Sequence, residues 1–269
     1  MTYYLLFLCL AQGITEFLPV SSSAHMMMVN QWFGVTKHEA SLYVGLHIGT
    51  LLSITAFYIK DIIVMATAFI QGSLCPSKRK NDNFNMALCL LIATIPAIIV
   101  GFLIKPYLAH IQDNLTIIAF SSITFGSLLA FIDHYTALEH DTMTKKRAIL
   151  IGLGQLLAFF PGGSRLGTTI TVARMLGISR NAAFRFSMLL SIPVVLGASV
   201  LMGYDAYQCG TVFLDQTLAK VVLATFILGM TTLFIMSNFI DRIGFSIFGI
   251  YRILFGSSIL LWLFAMHYP

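Results

Sequence analysis

Glu16, Ser21, Ser22, Ser23 and His25 stand inside the stretch Gln12-Gly13-Ile14-Thr15-Glu16-Phe17-Leu18-Pro19-Val20-Ser21-Ser22-Ser23-Ala24-His25, which interrupts a hydrophobic run beginning at Tyr3 and resuming at Met26. A carboxylate, three hydroxyls and an imidazole thus fall in sequence that otherwise reads as membrane. Desolvating Glu16 or His25 is costly unless each finds a partner, so the cluster is a functional-site candidate. A second polar interruption lies far downstream, at Phe159-Phe160-Pro161-Gly162-Gly163-Ser164-Arg165-Leu166-Gly167-Thr168-Thr169. Phe17-Leu18-Pro19-x-x-Ser22 and Phe159-Phe160-Pro161-x-x-Ser164 read as two copies of one design.

These residue types suit phosphate chemistry. Serines after Pro19, and Gly162-Gly163-Ser164, open returning helices whose hydroxyls and free N–H groups favour an anion. Arg165 between two such N-termini supplies a planar fork for phosphate oxygens. Ser22 and His25 are three apart, on one helical face, a spacing that permits a nucleophile–base pair. Glu16 can orient His25, hold a divalent cation or activate water. Plainer roles compete with these. At least two of the three serines are expected only to cap, and Arg165 with Glu16 can be a purely structural ion pair. Met26-Met27-Met28 is expected as packing or lipid-facing surface.

The elements that must position these residues are membrane helices. Of 269 residues 58% are hydrophobic and 10% charged, and the mean hydropathy is +0.86. A soluble domain of this size cannot cover so much apolar surface. No basic stripe interleaved with aromatics suggests nucleic acid, and Cys9, Cys75, Cys89 and Cys209 have no paired spacing, so neither a disulfide framework nor a zinc site is expected. The N-terminus lacks the basic region of a cleaved signal peptide and is read as mature structure.

Spans of about 20 residues are expected near 42–59, 86–104, 115–132, 182–203, 218–240 and 246–266. The runs 3–18 and 24–33 are too short to cross and read as one re-entrant hairpin; 148–160 and 168–176 read as another. Residues 62–70 are expected along the interface. The predicted fold is therefore an all-α integral membrane protein, a single domain with repeat one at about 1–135 and repeat two at about 147–269. Each half has one re-entrant helical hairpin plus three transmembrane helices. Three spans per copy force the copies into opposite orientations, an inverted-topology repeat.

Under that reading eleven cations (Lys60, Lys78, Arg79, Lys80, Lys145, Lys146, Arg147, Arg174, Arg180, Arg185 and Arg242) fall on one side, and Lys37, Lys105 and Lys220 on the other. Arg165 is in the site and Arg252 lies within the last span. The asymmetry predicts a multi-pass protein with both termini and the first hairpin's mouth outside the cytoplasm. Arg174, Arg180 and Arg185 are read as topology determinants facing anionic lipid.

At these motifs the chain resembles the bacterial undecaprenyl-diphosphate phosphatases of the bacitracin-resistance type. Gln12 and Glu16, Phe17 to Ser22 and His25 match their first motif; Pro161 to Thr169 match their second, in order and spacing over essentially the whole chain. The resemblance implies hydrolysis of undecaprenyl diphosphate to undecaprenyl phosphate, recycling a lipid carrier for peptidoglycan synthesis at the outer face of the bacterial cytoplasmic (inner) membrane. It implies a divalent cation, Mg²⁺ or Ca²⁺, held by Glu16. Matching positions put Glu16, Ser22 and His25 in catalysis, and Gln12, Ser21, Gly163, Ser164, Arg165 and Thr169 on the substrate. Two positions depart from the pattern: Gln12 is the neutral variant of an acidic position, and Leu166 replaces the usual second serine. The expected partners are a polyprenyl diphosphate and membrane lipid, with a homodimer left open. Ser22 as nucleophile and His25 activating water directly both remain available. Because inverted repeats with broken helices are also a transporter architecture, the alternative is a flippase for undecaprenyl phosphate, alone or beside hydrolysis.

Overall fold

The computed structural model describes residues 2–35, 40–108, 111–136, 140–208 and 215–267. Cys209 and Lys37 lie outside them. Among the described residues every regular element is helical: α1 (Tyr3–Thr15), α2 (Ser22–Phe33), α3 (Ala40–Phe57), α4 (Ile59–Leu74), α5 (Asp82–Leu108), α6 (Leu115–Tyr135), α7 (Lys145–Gly154), α8 (Arg165–Met175), α9 (Arg180–Gln208), α10 (Gln216–Ile243) and α11 (Ser246–His267). Short 3₁₀ turns follow α4 and α7.

Six of these, α3, α5, α6, α9, α10 and α11, are long and apolar enough to cross a membrane. At about 1.5 Å per residue a crossing takes roughly 20 residues, whereas α1 and α2 have 13 and 12 residues and α8 has 11. The order of two short helices then three long ones occurs twice, with α4 inserted in the first half. The expected interfacial segment is this separate helix, which breaks from α3 at Tyr58 and packs on α5.

Helices in lipid gain little from burying apolar side chains, so close backbone approach has to hold them together. The α6–α11 pair does this through small residues. A methyl group added at Gly126 would lie 2.8 Å from the Gly249 carbonyl oxygen, and one at Gly256 2.6 Å from that of Ala119. Between α3 and α10, the buried Ser53 hydroxyl donates to the Gly49 and Phe226 carbonyls at 2.8 and 2.9 Å. The largest apolar core gathers Phe17, Ile54, Ile151, Ile170, Phe186 and Leu233 from both halves, and includes Phe17 and Leu166 of the two interrupted stretches.

One expectation about charge is corrected. Arg174 is 1% exposed and faces no lipid. Its Nε donates to Asp133 Oδ1 at 3.0 Å, and Arg180 donates to both oxygens of the same carboxylate, at 3.0 and 3.1 Å. Asp133 Oδ2 also accepts the backbone N–H groups of Phe245 and Ser246, at 2.8 and 3.1 Å, capping the start of α11. A helix start leaves free N–H groups that a carboxylate satisfies. Asp133 thus joins α6, α8, α9 and α11 in one knot. Arg185 pairs instead with Asp61.

Candidate active site

The links α1–α2 and α7–α8 meet. Each ends on a serine with left-handed backbone, Ser21 (φ 73°) and Ser164 (φ 63°), and these are the only non-glycine residues of positive φ among those described. Each serine is the residue before a helix, α2 or α8. Such a conformation persists in a non-glycine residue only where the surroundings enforce it. The structural counterpart of Ser164 is therefore Ser21; the sequence alignment of Ser164 with Ser22 is displaced by one residue, because the step from Pro161 to Ser164 is one residue longer than that from Pro19 to Ser21. Ser164 Oγ accepts the Gly167 N–H at 3.1 Å, while Ser21 Oγ contacts Ser23 Oγ at 3.1 Å.

With the serines paired in this way, Ser22 and Arg165 occupy equivalent first positions of α2 and α8, and both reach Glu16. Ser22 Oγ donates to Glu16 Oε2 at 2.6 Å. Arg165 Nη2 donates to Glu16 Oε1 at 3.3 Å and its Nη1 to the Ser187 carbonyl at 3.1 Å. The two charged side chains are 13% and 12% exposed. They open onto a cavity of about 150 Å³ walled by Glu16, Ser21, Ser22, Ser164 and Arg165. That is roughly ten times the ~10–15 Å³ one water requires. A wider cavity of about 460 Å³ adjoins it, sharing Ser22 and Ser23. Met26, Met27, Phe159 and Phe160 line its apolar part, with Asn30, Tyr43 and His47 among its polar groups.

Gln12 lies behind Glu16. It is fully buried, and its Nε2 donates to Glu16 Oε2 at 3.2 Å and to Thr50 Oγ1 at 3.5 Å. Its Oε1 is buried without a partner. It is thus the amide nitrogen of Gln12 that faces Glu16, and the Glu16 carboxylate is the anionic oxygen donor lining the cavity. Among the described residues no three of His, Cys, Asp and Glu come together, so a divalent cation would take its remaining oxygens from phosphate and water, as Mg²⁺ commonly does.

Besides Gln12, three further predicted residues lie off this cavity. Gly163 is buried beneath it, its N–H donating to the Phe160 carbonyl at 2.8 Å. Thr169 is fully buried and bonds back along α8 to the carbonyls of Arg165 and Leu166. His25 is on another face. Its Nδ1 meets the Ser21 carbonyl at 2.8 Å and its Nε2 the Tyr251 hydroxyl at 2.7 Å. A carbonyl only accepts, so Nδ1 carries the proton and Nε2 of the neutral ring accepts from Tyr251. The ring stacks on Phe255 at 4.3 Å, in an aromatic groove with Trp32 and Trp262. The expected Ser22–His25 pair is not formed: Ser22 is bonded to Glu16, and both imidazole nitrogens are engaged elsewhere.

Arg252 is the group that sequence reasoning left without a role. It is fully buried in α11, and its Nη2 donates to the carbonyls of Gly162 at 2.7 Å and Gly163 at 3.1 Å. A charge inside an apolar span, the signal that singled out Glu16, marks it equally.

Comparison with known proteins places the chain in a family. The family described as "Bacitracin resistance protein BacA" matches residues 5–258. A protein named undecaprenyl-diphosphatase from Alcanivorax borkumensis is 37% identical over 260 residues, 96% of this chain and 97% of its own. Another of the same name, from Alteromonas mediterranea, is 35% identical over 265 residues, 98% of this chain and 99% of its own. With both interrupted stretches inside the matched region, the chain belongs to the bacitracin resistance protein BacA family.

Proposed function

We propose that this protein hydrolyses undecaprenyl diphosphate to undecaprenyl phosphate and inorganic phosphate. The observation that carries the reading is one carboxylate bonded to a hydroxyl and a guanidinium from two different helix N-termini, above a single cavity. The proteins it matches are named for that activity. Arg165 and the buried Arg252 outweigh Glu16, so the neighbourhood favours a multiply charged anion. The adjoining apolar cavity is suited to the first prenyl units.

Diphosphate entering the cavity draws Arg165 off Glu16 and takes the guanidinium and the N–H groups of the α2 and α8 termini as its own donors. Glu16, relieved of its ion pair, accepts the Ser22 proton along the hydrogen bond already present. Ser22 Oγ attacks the terminal phosphorus as the bond to the bridging oxygen breaks, and undecaprenyl phosphate leaves. Water then cleaves the phosphoserine, returning the Ser22 hydroxyl and releasing phosphate, with one water consumed overall. A divalent cation would be held by the Glu16 carboxylate and would supply charge neutralisation at the transferred phosphoryl. His25 serves as a tie between loop and helix rather than as base.

The two halves are read as an inverted repeat of re-entrant hairpins. If α1, α2, α3, α5 and α6 correspond to α7, α8, α9, α10 and α11, the contacts pair off: α1–α10 with α7–α5, α3–α10 with α9–α5, and α6–α8 with the His25–Tyr251 contact of α2 and α11. The α3–α9 and α6–α11 contacts map onto themselves, as elements on a two-fold axis must. The first hairpin's mouth, and with it the site, faces the outside of the bacterial inner membrane, where the product re-enters carrier recycling for wall synthesis. That internal symmetry also supports a second reading, movement of undecaprenyl phosphate between leaflets.

Phosphate release from a polyprenyl diphosphate in detergent, with Mg²⁺ or Ca²⁺ supplied or chelated, tests the proposal. Wild-type protein is expected to release phosphate, and Glu16→Gln and Arg165→Ala to lose it. Release that survives both substitutions refutes the site. Wild-type protein that releases none yet moves labelled lipid phosphate across a bilayer is a transporter.

A further inference from the structure

Tyr251 and Arg252 are neighbours on α11, yet each grips a different loop. Tyr251 holds the first through His25: its hydroxyl donates to His25 Nε2 at 2.7 Å, and His25 Nδ1–H bonds the Ser21 carbonyl at 2.8 Å. Arg252 holds the second directly, through the carbonyls of Gly162 and Gly163. Consecutive helical residues point about 100° apart, so one turn of one helix touches both loop tips. The residues gripped adjoin or include the positions of positive φ: Ser21 at φ 73°, Gly162 at φ 80°, and Gly163 just before Ser164 at φ 63°.

We propose that Tyr251 and Arg252 are positioning residues, a paired tie that sets the two loops at the relative register in which Ser22 and Arg165 both reach Glu16. The inference rests on the reading of the cavity as the hydrolytic site. Three observations support it. Arg252 spends one nitrogen on two carbonyls while its Nε and Nη1 remain buried without partners. A buried charge with incomplete bonding is a poor stabiliser compared with an apolar side chain, so its placement there points to geometry rather than stability. Space is also reserved for it: a methyl group at Gly167 would meet Arg252 Nη1 at 2.6 Å, and one at Gly126 would meet Arg252 Cβ at 2.7 Å. The His25 ring, finally, is held on both nitrogens and stacked on Phe255, which makes it a rigid spacer rather than a mobile base.

The tie is loop-specific, which separates it from a general folding role. In the purified protein, Arg252→Met is expected to speed amide hydrogen exchange in residues 160–168 and leave 17–25 unchanged; Tyr251→Phe is expected to do the reverse. Arg252→Met should lower kcat about 10²-fold with KM within about twofold, since displacement of reacting groups by an ångström costs about that much. Tyr251→Phe, which keeps the ring and removes one hydrogen bond, should lower kcat about tenfold. In an Arg165→Lys background the cost of Arg252→Met should shrink to about threefold, because the group it positions is already displaced, whereas Tyr251→Phe should keep its full cost. If Arg252→Met does not fold, Arg252→Lys carries the same expectations at smaller amplitude. Exchange that rises throughout the chain, exchange unchanged at 160–168, or an Arg252→Met cost undiminished beside Arg165→Lys each overturns the tie. A wild-type protein that releases no phosphate overturns the hydrolytic reading instead, and the exchange measurement still decides the tie.

Discussion

Replacing Glu16 by Gln tests the chemistry at its centre. The substitution keeps length and shape, and the new amide oxygen can still accept from Ser22 at the 2.6 Å position, while its NH2 takes the place of the oxygen that accepted from Arg165. What it removes is basicity. General-base assistance contributes typically 10²–10⁴-fold, so kcat should fall by about that factor, roughly 2.7–5.4 kcal/mol at 1.36 kcal/mol per tenfold. Binding should move the other way. With one negative charge gone and Arg165 no longer held by an ion pair, the diphosphate meets less competition, and KM should stay constant or fall. Stability changes little for a buried pair, because Arg165 keeps the Ser187 carbonyl and both side chains retain some exposure; we expect about 1–2 kcal/mol rather than the 3–5 kcal/mol of a fully sealed pair broken at one partner. The assay is initial-rate phosphate release over a range of polyprenyl diphosphate at saturating cation, with thermal unfolding in the same detergent. A variant with unchanged kcat and a KM raised tenfold would refute the base assignment and leave Glu16 a binding residue only. Recovery of the rate on raising the cation a hundredfold would make its main task holding the metal.

Three further outcomes follow from the same geometry. His25→Gln should lower kcat about tenfold without changing the shape of the pH–rate profile between pH 5 and 8, where a free imidazole titrates; a limb that disappears in the variant makes His25 the base after all. Asp133→Ala leaves Arg174, 1% exposed, without its carboxylate and uncaps α11. A cost of about 3–5 kcal/mol is expected, which at 2–4 °C per kcal/mol lowers Tm by roughly 6–20 °C, while phosphate release per folded molecule should hold. Met27→Trp narrows the 460 Å³ cavity and should raise KM for long-chain more than for short-chain prenyl diphosphates; equal effects on both would place the tail elsewhere.

Much of this protein is local and therefore readable from its residues in order. Six apolar runs become the six long helices because a span is specified by its own hydropathy, with no help from its neighbours. The interruptions at Glu16 and Arg165 announce the site because a charge in an apolar stretch is expensive wherever the chain goes next, and their meeting follows from having two such stretches to satisfy. Partner choice is another matter. Ser22 and His25 sit three apart on one helix, yet their side chains are claimed from different sides, Ser22 by Glu16 across the loop and His25 by Tyr251, 226 residues away. Periodicity says which residues share a face and is silent on what packs against that face. The same holds for Gln12, which backs Glu16 because Thr50 of α3 takes its other contact, and for Arg174, which Asp133 draws into the interior.

The amino-acid order alone determined a helical membrane protein, its two polar interruptions, and phosphate-handling chemistry at them, since burial cost and helix termini act over a few residues. Only the tertiary structure decided that Glu16 is the partner of Ser22, that Ser21 rather than Ser22 matches Ser164, and that α11 holds both loops through Tyr251 and Arg252. Those outcomes depend on which helices stand next to one another, and adjacency is set by the packing of the whole chain.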